Sequence, residues 1–157
     1  MILAIVSFQA KNSKRILTFQ VIGSTCWTVH FVLLGAYAGA LLNIISVIRN
    51  LIFYQKDKKW ARSVWWIPAF SLAGAVIIAF TWDGLKCLLP LFGVVATTVS
   101  FFMTDANKLR CLSLIASPLW LVYDALNGSY FGTATEVFCI VSIIIALIRY
   151  SRPTKQA

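Results

Sequence analysis

Polar and ionisable residues recur at a fixed spacing inside the most apolar stretches of this 157-residue chain. Trp27 and Asn43 are 16 residues apart, and Trp120 and Glu136 have the same separation. An ionisable group within an apolar segment is costly unless it faces a cavity or a partner. Glu136 is therefore the first candidate for a solute contact or a protonatable gate, and a structural hydrogen bond to a neighbouring helix is the alternative.

Two further candidates accompany the first Trp–Asn pair. His30 follows Trp27 by three residues, so that both lie on one helix face; His30 either touches solute or is a hydrogen-bonded packing residue. Ser46 follows Asn43 by three residues and extends a polar stripe, which faces either a cavity or a neighbouring helix.

The second Trp has a more polar neighbourhood than the first. Tyr123 and Asp124 stand where the first copy has His30 and Phe31. Asp124 is either a solute contact or part of a water-exposed helix end, and the two Trp residues either stack on a solute or pack in the core. The candidate solute-binding residues are Trp27, His30, Asn43, Ser46, Trp120, Tyr123, Asp124 and Glu136.

The residue types needed for other chemistries are missing from the sequence. The chain has a single His, four Cys without a CxxC pair, no glycine-rich phosphate loop and no Ser-His-Asp set. We therefore expect no enzymatic activity, no metal site and no cofactor.

The segments that must position these residues are strongly apolar. Hydrophobic residues make up 60% of the chain and charged residues only 12%, which is outside the range of soluble domains. A membrane span needs about 20 apolar residues. The sequence therefore predicts an all-α integral membrane protein, with helices at residues 16–34, 36–54, 64–80, 85–103, 109–126 and 130–150.

The net charge of +9 lies in the connections between these segments. If the predicted helices alternate across the membrane, 13 of the 14 basic residues lie on one side and only Lys86 on the other. The positive-inside rule places that side, with the C-terminus, in the cytoplasm. Arg49 is expected to snorkel from its helix end, and the basic linker at 56–62 is expected to contact anionic lipid heads.

The chain contains an internal repeat at an offset of 93 residues. The stretch WTVHFVLLGAYAG at 27–39 returns as WLVYDALNGSYFG at 120–132. The duplication predicts a 3+1+3 helix arrangement with parallel repeats. Residues 1–54 would form the first repeat, 55–83 a basic linker and linker helix, 84–150 the second repeat and 151–157 a cytoplasmic tail. The first helix has only residues 1–8, so we expect it to be truncated, by a start internal to a longer product or by loss of a half-helix.

Three stretches of the chain carry a family resemblance: SFQAKNSKRILTFQ, LLGAYAGALLNIISVIRNLIFYQK and SPLWLVYDALNGSYFGTATEVF. They resemble bacterial inner-membrane proteins of the YgjV type. The 3+1+3 pattern, with a Trp late in the second helix of each repeat, resembles the SWEET sugar transporters and the PQ-loop superfamily. That resemblance implies a central solute pocket lined by Trp27 and Asn43 in the first half. The chain differs in having Glu136 in the second half and no Pro-Gln pair.

We expect a transporter of a small polar solute that works by alternating access between the two repeats. A neutral ring compound would suit the two Trp residues, and a cationic solute would suit Glu136. The alternative is a non-transporting membrane scaffold or a partner-binding subunit. Membrane lipid and the solute are the expected partners, nucleic acid is not expected, and a homo-oligomer is left open.

Overall fold

The computed structural model describes residues 6–151, without the side chain of Ser151. Across these residues the chain is helical and has no strand, which confirms the predicted all-α class. Its helices are α1 Ser13–Leu33, α2 Tyr37–Tyr54, α3 Trp66–Phe80, α4 Leu88–Phe102, α5 Ala106–Leu126 and α6 Tyr130–Ser151, and a short 3₁₀ helix, Leu85–Cys87, precedes α4. Residues 1–5 of the predicted truncated helix, and the tail after residue 151, lie outside the described residues.

Five helical segments of the described chain are long and apolar enough to cross a membrane. They are Ser13–Leu33, Tyr37–Tyr54, Leu85–Phe102, Ala106–Leu126 and Tyr130–Tyr150. The remaining helix, α3, is apolar but has only 15 residues, which rise about 22 Å. Many large apolar side chains point away from the protein, among them Leu33, Phe80 and Tyr130. Such an outer surface suits a lipid environment and not water.

Helices α1 and α5 begin with the same kind of N-cap, at positions 93 residues apart. The side chain of Asn12 accepts a hydrogen bond from the backbone N–H of Arg15 at 2.9 Å. The side chain of Asp105 accepts one from the backbone N–H of Lys108 at 2.8 Å. Each side chain satisfies a backbone donor that the first helical turn leaves unpaired.

Glycines at matching positions end the same two helices. Gly35 follows α1 with φ of 71°, and Gly128 follows α5 with φ of 69°. This left-handed conformation is strained for residues with a Cβ atom, so glycine is the residue that allows the chain to reverse there. The turns bring α2 back along α1 and α6 back along α5.

The connections gather at two opposite ends of the bundle. At one end, which we call the glycine end, residues 34–38, 80–83, 86–87 and 127 line a common cavity. At the other, which we call the basic end, Lys14 pairs with Asp57, and the Asn107 amide donates to the carbonyl of Tyr150 at 3.4 Å. Helix α3 therefore runs from one end to the other, like its longer neighbours.

Two cations at the basic end are buried and do not extend towards lipid head groups. Lys56 is 5% exposed and donates to the carbonyls of Phe101 and Met103, at the end of α4. Arg110 is 1% exposed and its Nε donates to the carbonyl of Phe8 at 2.9 Å. The prediction that the linker contacts lipid head groups is wrong for Lys56. This side chain instead binds carbonyls at the C-terminal end of a helix, which attract a cation.

Candidate functional site

A cavity of about 100 Å³ lies among five of the six helices. Helices α1, α2, α4, α5 and α6 all contribute side chains to its wall. The wall includes Trp27, Asn43, Trp120 and Glu136, the two equally spaced pairs of the sequence. Ser46 and Asp124 line it as well.

Most of the lining residues come in pairs separated by 93 positions. The seven pairs are Phe8/Phe101, Gln20/Ser113, Ser24/Ser117, Trp27/Trp120, Phe31/Asp124, Asn43/Glu136 and Ser46/Cys139. Four of the pairs differ in chemistry: Gln20/Ser113, Phe31/Asp124, Asn43/Glu136 and Ser46/Cys139. Two differences, Phe31/Asp124 and Asn43/Glu136, place both carboxyl groups of the cavity in the second half of the chain.

Aromatic side chains form the wall nearest the glycine end. The ring of Phe31 lies 5.9 Å from that of Trp27 and 6.4 Å from that of Trp120, between ring centroids. Trp120 packs against α4, where Gly93 leaves room for its indole: a Cβ atom on Gly93 would lie 2.7 Å from the indole nitrogen. These rings give the cavity flat apolar and π-electron surfaces.

The carboxyl of Asp124 is deeply buried on this wall. The residue is 3% exposed, and a Cβ atom on Gly132 would lie 2.5 Å from its Cγ and Oδ2 atoms. Within residues 6–151, its Oδ1 atom has no hydrogen-bond partner. An unpaired buried carboxylate oxygen is costly, so Asp124 is an energetically unfavourable group in the cavity wall.

Glu136 follows Gly132 by four residues and so lies one turn further along the same face of α6. Glu136 and Ser117 of α5 both line the cavity. The two carboxyl groups are therefore neighbours along one wall, one turn of α6 apart.

Arg49 is the main lining residue that sequence analysis missed. It is 2% exposed, and the expectation that it snorkels to the membrane surface is wrong. Its guanidinium donates to Thr97 Oγ1 at 2.8 Å and to Asn50 Oδ1 at 3.2 Å, and it stands 5.1 Å from the ring centroid of Phe101. The signal was present, since Arg49 follows Ser46 by three residues on the same polar stripe.

The sequence model of the Imp-YgjV family, described as bacterial inner membrane protein, matches residues 1–154 of this chain. The chain belongs to this family. It is similar to inner membrane protein YgjV of Escherichia coli (strain K12), with 24% identity over 155 residues, which cover 99% of this chain and 82% of that protein. No solved structure matches the chain. The predicted YgjV-type identity and the multi-pass inner-membrane location are thereby confirmed.

Two predicted site residues of this YgjV-family chain, His30 and Tyr123, lie beside the central cavity and do not line it. The Nε2 atom of His30 is 2.9 Å from Ser129 Oγ, which is the hydrogen-bonded packing role given above as its alternative. Tyr123 lines the cavity of about 590 Å³ at the glycine end. Its ring lies 6.0 Å from those of Phe31 and Trp120, so that it stands in the wall between the two cavities.

No metal centre is evident near the cavity. Across residues 6–151, no three His, Cys, Asp or Glu side chains come together in a way that could hold a metal ion. The polar groups of the wall can instead bind a solute through hydrogen bonds, through charge and through the faces of the aromatic rings.

Proposed function

We propose that this YgjV-family protein carries a small polar solute across the inner membrane through the central cavity. The observation that carries the proposal is the cavity wall, in which Arg49, Asp124 and Glu136 come from three different helices within the apolar bundle. Ionisable side chains at membrane depth are costly, and they commonly mark substrate or ion pathways. The proposal includes no catalytic step.

The size of the cavity limits the solute. An engineered protein cavity of about 150 Å³ binds benzene, and typical ligand pockets measure about 300–1,000 Å³. The central cavity has about 100 Å³, so the solute it accepts in this conformation is smaller than an aromatic ring. This argues against the ring compound that the two Trp residues suggested.

We further propose that the chain is a 3+1+3 parallel repeat of the SWEET and PQ-loop type. The matched caps Asn12 and Asp105, the matched glycines Gly35 and Gly128, and the seven lining pairs support a duplication. Helix α3 would be the linker that restores the parallel orientation of the second repeat. Rocking one repeat against the other would then open the cavity to each side in turn.

The distribution of charge supports a cytoplasmic basic end. Every basic residue of the described helix connections except Lys86 lies at that end, as the positive-inside rule requires of the cytoplasmic side. The C-terminus would then be cytoplasmic. A reporter protein that fluoresces only in the cytoplasm, fused after residue 157, should fluoresce, and a dark, membrane-inserted fusion would reverse this orientation.

The transport proposal is tested with purified protein in proteoliposomes. A panel of small neutral, zwitterionic, anionic and cationic solutes is first screened for thermal stabilisation, and uptake of each stabilising solute is then measured. Uptake should fall at least tenfold in Glu136→Gln and in Trp120→Ala. It should persist in Trp65→Ala, which replaces an exposed Trp that lines neither the central cavity nor the cavity at the glycine end. No stabilising solute, together with co-purification of one stoichiometric protein, would instead indicate the scaffold alternative.

A further inference from the structure

The ionisable groups of the central cavity do not balance in charge. The wall contains one guanidinium, that of Arg49, and two carboxyl groups, those of Asp124 and Glu136. The ion pairs of residues 6–151 are Lys14–Asp57 and Lys86–Asp83, so that neither carboxyl has a salt-bridge partner there. If both carboxyl groups are ionised, the cavity has one uncompensated negative charge, which is unfavourable in an apolar bundle.

The guanidinium and the carboxyl groups lie at different depths. Asn43 is the repeat partner of Glu136, and Arg49 lies six residues beyond Asn43 along α2, which corresponds to about 9 Å at 1.5 Å per residue. Arg49 is also occupied by neutral acceptors, since it donates to Thr97, Thr98 and Val94 of α4. Arg49 therefore leaves the carboxyl end of the cavity negative.

That end has the features of a cation site. Asp124 lines the cavity and is almost fully buried, and within residues 6–151 its Oδ1 atom is buried without a hydrogen-bond partner. Glu136 lies one helical turn away along α6, and the rings of Trp27 and Trp120 complete the wall. Carboxylates attract a cation directly, and the face of an indole attracts it through its π electrons.

We propose that Asp124 and Glu136 together bind one compact monovalent cation of the ammonium class, and that this cation exchanges for one proton held by the pair. The proposal rests on the transport function above and specifies its substrate class and coupling. In the empty site one carboxyl is protonated, so the remaining carboxylate balances Arg49. When the cation enters, that proton leaves to water, and two carboxylates then balance Arg49 and the cation.

The groups around the pair are consistent with a single exchangeable proton. Helix α1 presents His30, which is bonded to Ser129, and α2 presents Arg49. Helix α4 contributes only Thr97 and Phe101 to the lining. Apart from the pair itself, α5 and α6 contribute the Tyr123 phenol behind the wall and the Cys139 thiol.

An anion fits this arrangement less well than a cation. It would add to the negative end of the cavity, and it would compete for a guanidinium whose donors already reach Asn50 and three groups of α4. The volume of about 100 Å³ accommodates ammonium or methylammonium, and it disfavours bulky quaternary amines.

The test uses the purified full chain in detergent with methylammonium chloride as the probe. One proton should be released to a weakly buffered solution per cation bound, as read by a pH-sensitive dye. The midpoint of thermal unfolding should rise by about 3 to 6 °C at ten times Kd. The apparent Kd should fall about tenfold for each unit of pH increase while the pair holds its proton. Binding without proton release, or a Kd independent of pH, would overturn the exchange.

Matched variants assign the effect to the two carboxyl groups. Asp124→Asn and Glu136→Gln should each weaken methylammonium binding at least tenfold and abolish proton release, whereas Glu136→Asp should retain the release. Asp57→Asn removes an exposed carboxyl at the basic end and should behave as wild type. If the carboxamide variants do not fold, the proton count and pH slope of the wild-type protein decide the question.

The outcomes separate this inference from the proposed function. If a neutral solute such as urea stabilises the protein and is taken up, and methylammonium does not bind, the transport proposal is supported and the cation site is refuted. If methylammonium binds with proton release but is not transported in proteoliposomes, the cation site is supported and the transport proposal is refuted. If no solute stabilises the protein or is transported, both the transport proposal and the cation site are refuted.

Discussion

Replacing Gly93 by alanine should move Trp120 and destabilise the protein, although alanine is the better helix former. The added Cβ atom would lie 2.7 Å from the indole nitrogen and 3.0 Å from Cδ1 of Trp120. Ordinary contacts begin near 3.4 Å, so the ring must retreat by about 0.7 Å. The indole lines the cavity, and its retreat disturbs the packing of Phe31 and Tyr123 against it.

The magnitude follows from two opposing effects. Alanine within a helix gains up to about 1 kcal/mol over glycine, and overpacking a well-filled site costs about 1–3 kcal/mol. Gly23 of α1 is the matched control, because a Cβ atom there meets no other atom within 4 Å. Gly23→Ala should therefore stabilise the fold and Gly93→Ala should not, with a difference of about 2 kcal/mol, or roughly 6 °C for a chain of this length.

The assay is thermal unfolding of both variants in the same detergent, followed by tryptophan fluorescence. A second substitution, Trp120→Phe, removes the indole nitrogen, which is the atom nearest to the new Cβ, and should reduce the penalty of Gly93→Ala in a double-mutant cycle. If Gly93→Ala stabilises the protein as much as Gly23→Ala does, the indole does not lie against α4 and does not form this part of the cavity wall.

Three further predictions concern the buried cations and the turns. Arg49→Met should lower the free energy of unfolding by about 1–3 kcal/mol, because Asn50 Oδ1 then loses its hydrogen-bond donors while Asn50 Nδ2 is already unpaired. Adding Asn50→Leu should recover part of this loss, as measured by chemical unfolding. Burial lowers the pKa of Lys56 from 10.5 to about 8, so between pH 8 and pH 10.5 the unfolded chain binds more protons than the folded chain. The unfolding temperature should therefore rise from pH 8 to 10, and the Lys56→Met variant should lack that rise. Gly35→Ala and Gly128→Ala should each cost about 1–2 kcal/mol, by matching amounts if the two turns are equivalent, as paired unfolding curves will reveal.

The helices themselves were readable from the sequence with small errors. The predicted segment 16–34 is α1 Ser13–Leu33, and the predicted segment 36–54 is α2 Tyr37–Tyr54. The early start of α1 has a local cause, since the cap at Asn12 draws Lys14 and Arg15 into the first turn although both are polar. Hydropathy locates the apolar part of a helix, whereas capping decides where it begins.

The candidate cavity was only partly readable. Equal spacing of Trp and a polar residue pointed to Trp27, Asn43, Trp120 and Glu136, all of which line the cavity. The same reasoning included His30, because residues three apart share a face. It could not tell that Ser129, 99 residues away, would engage that imidazole.

By itself, the sequence determined that this protein is a set of apolar membrane helices, because lipid requires long apolar segments whose backbone groups are satisfied within each helix. Only the tertiary structure decided which charges are buried. Arg49 bonds to Thr98, and Lys56 bonds to the carbonyl of Phe101. A charge stays inside the bundle when acceptors from distant segments replace its water, and the arrangement of those acceptors exists only after the helices have packed.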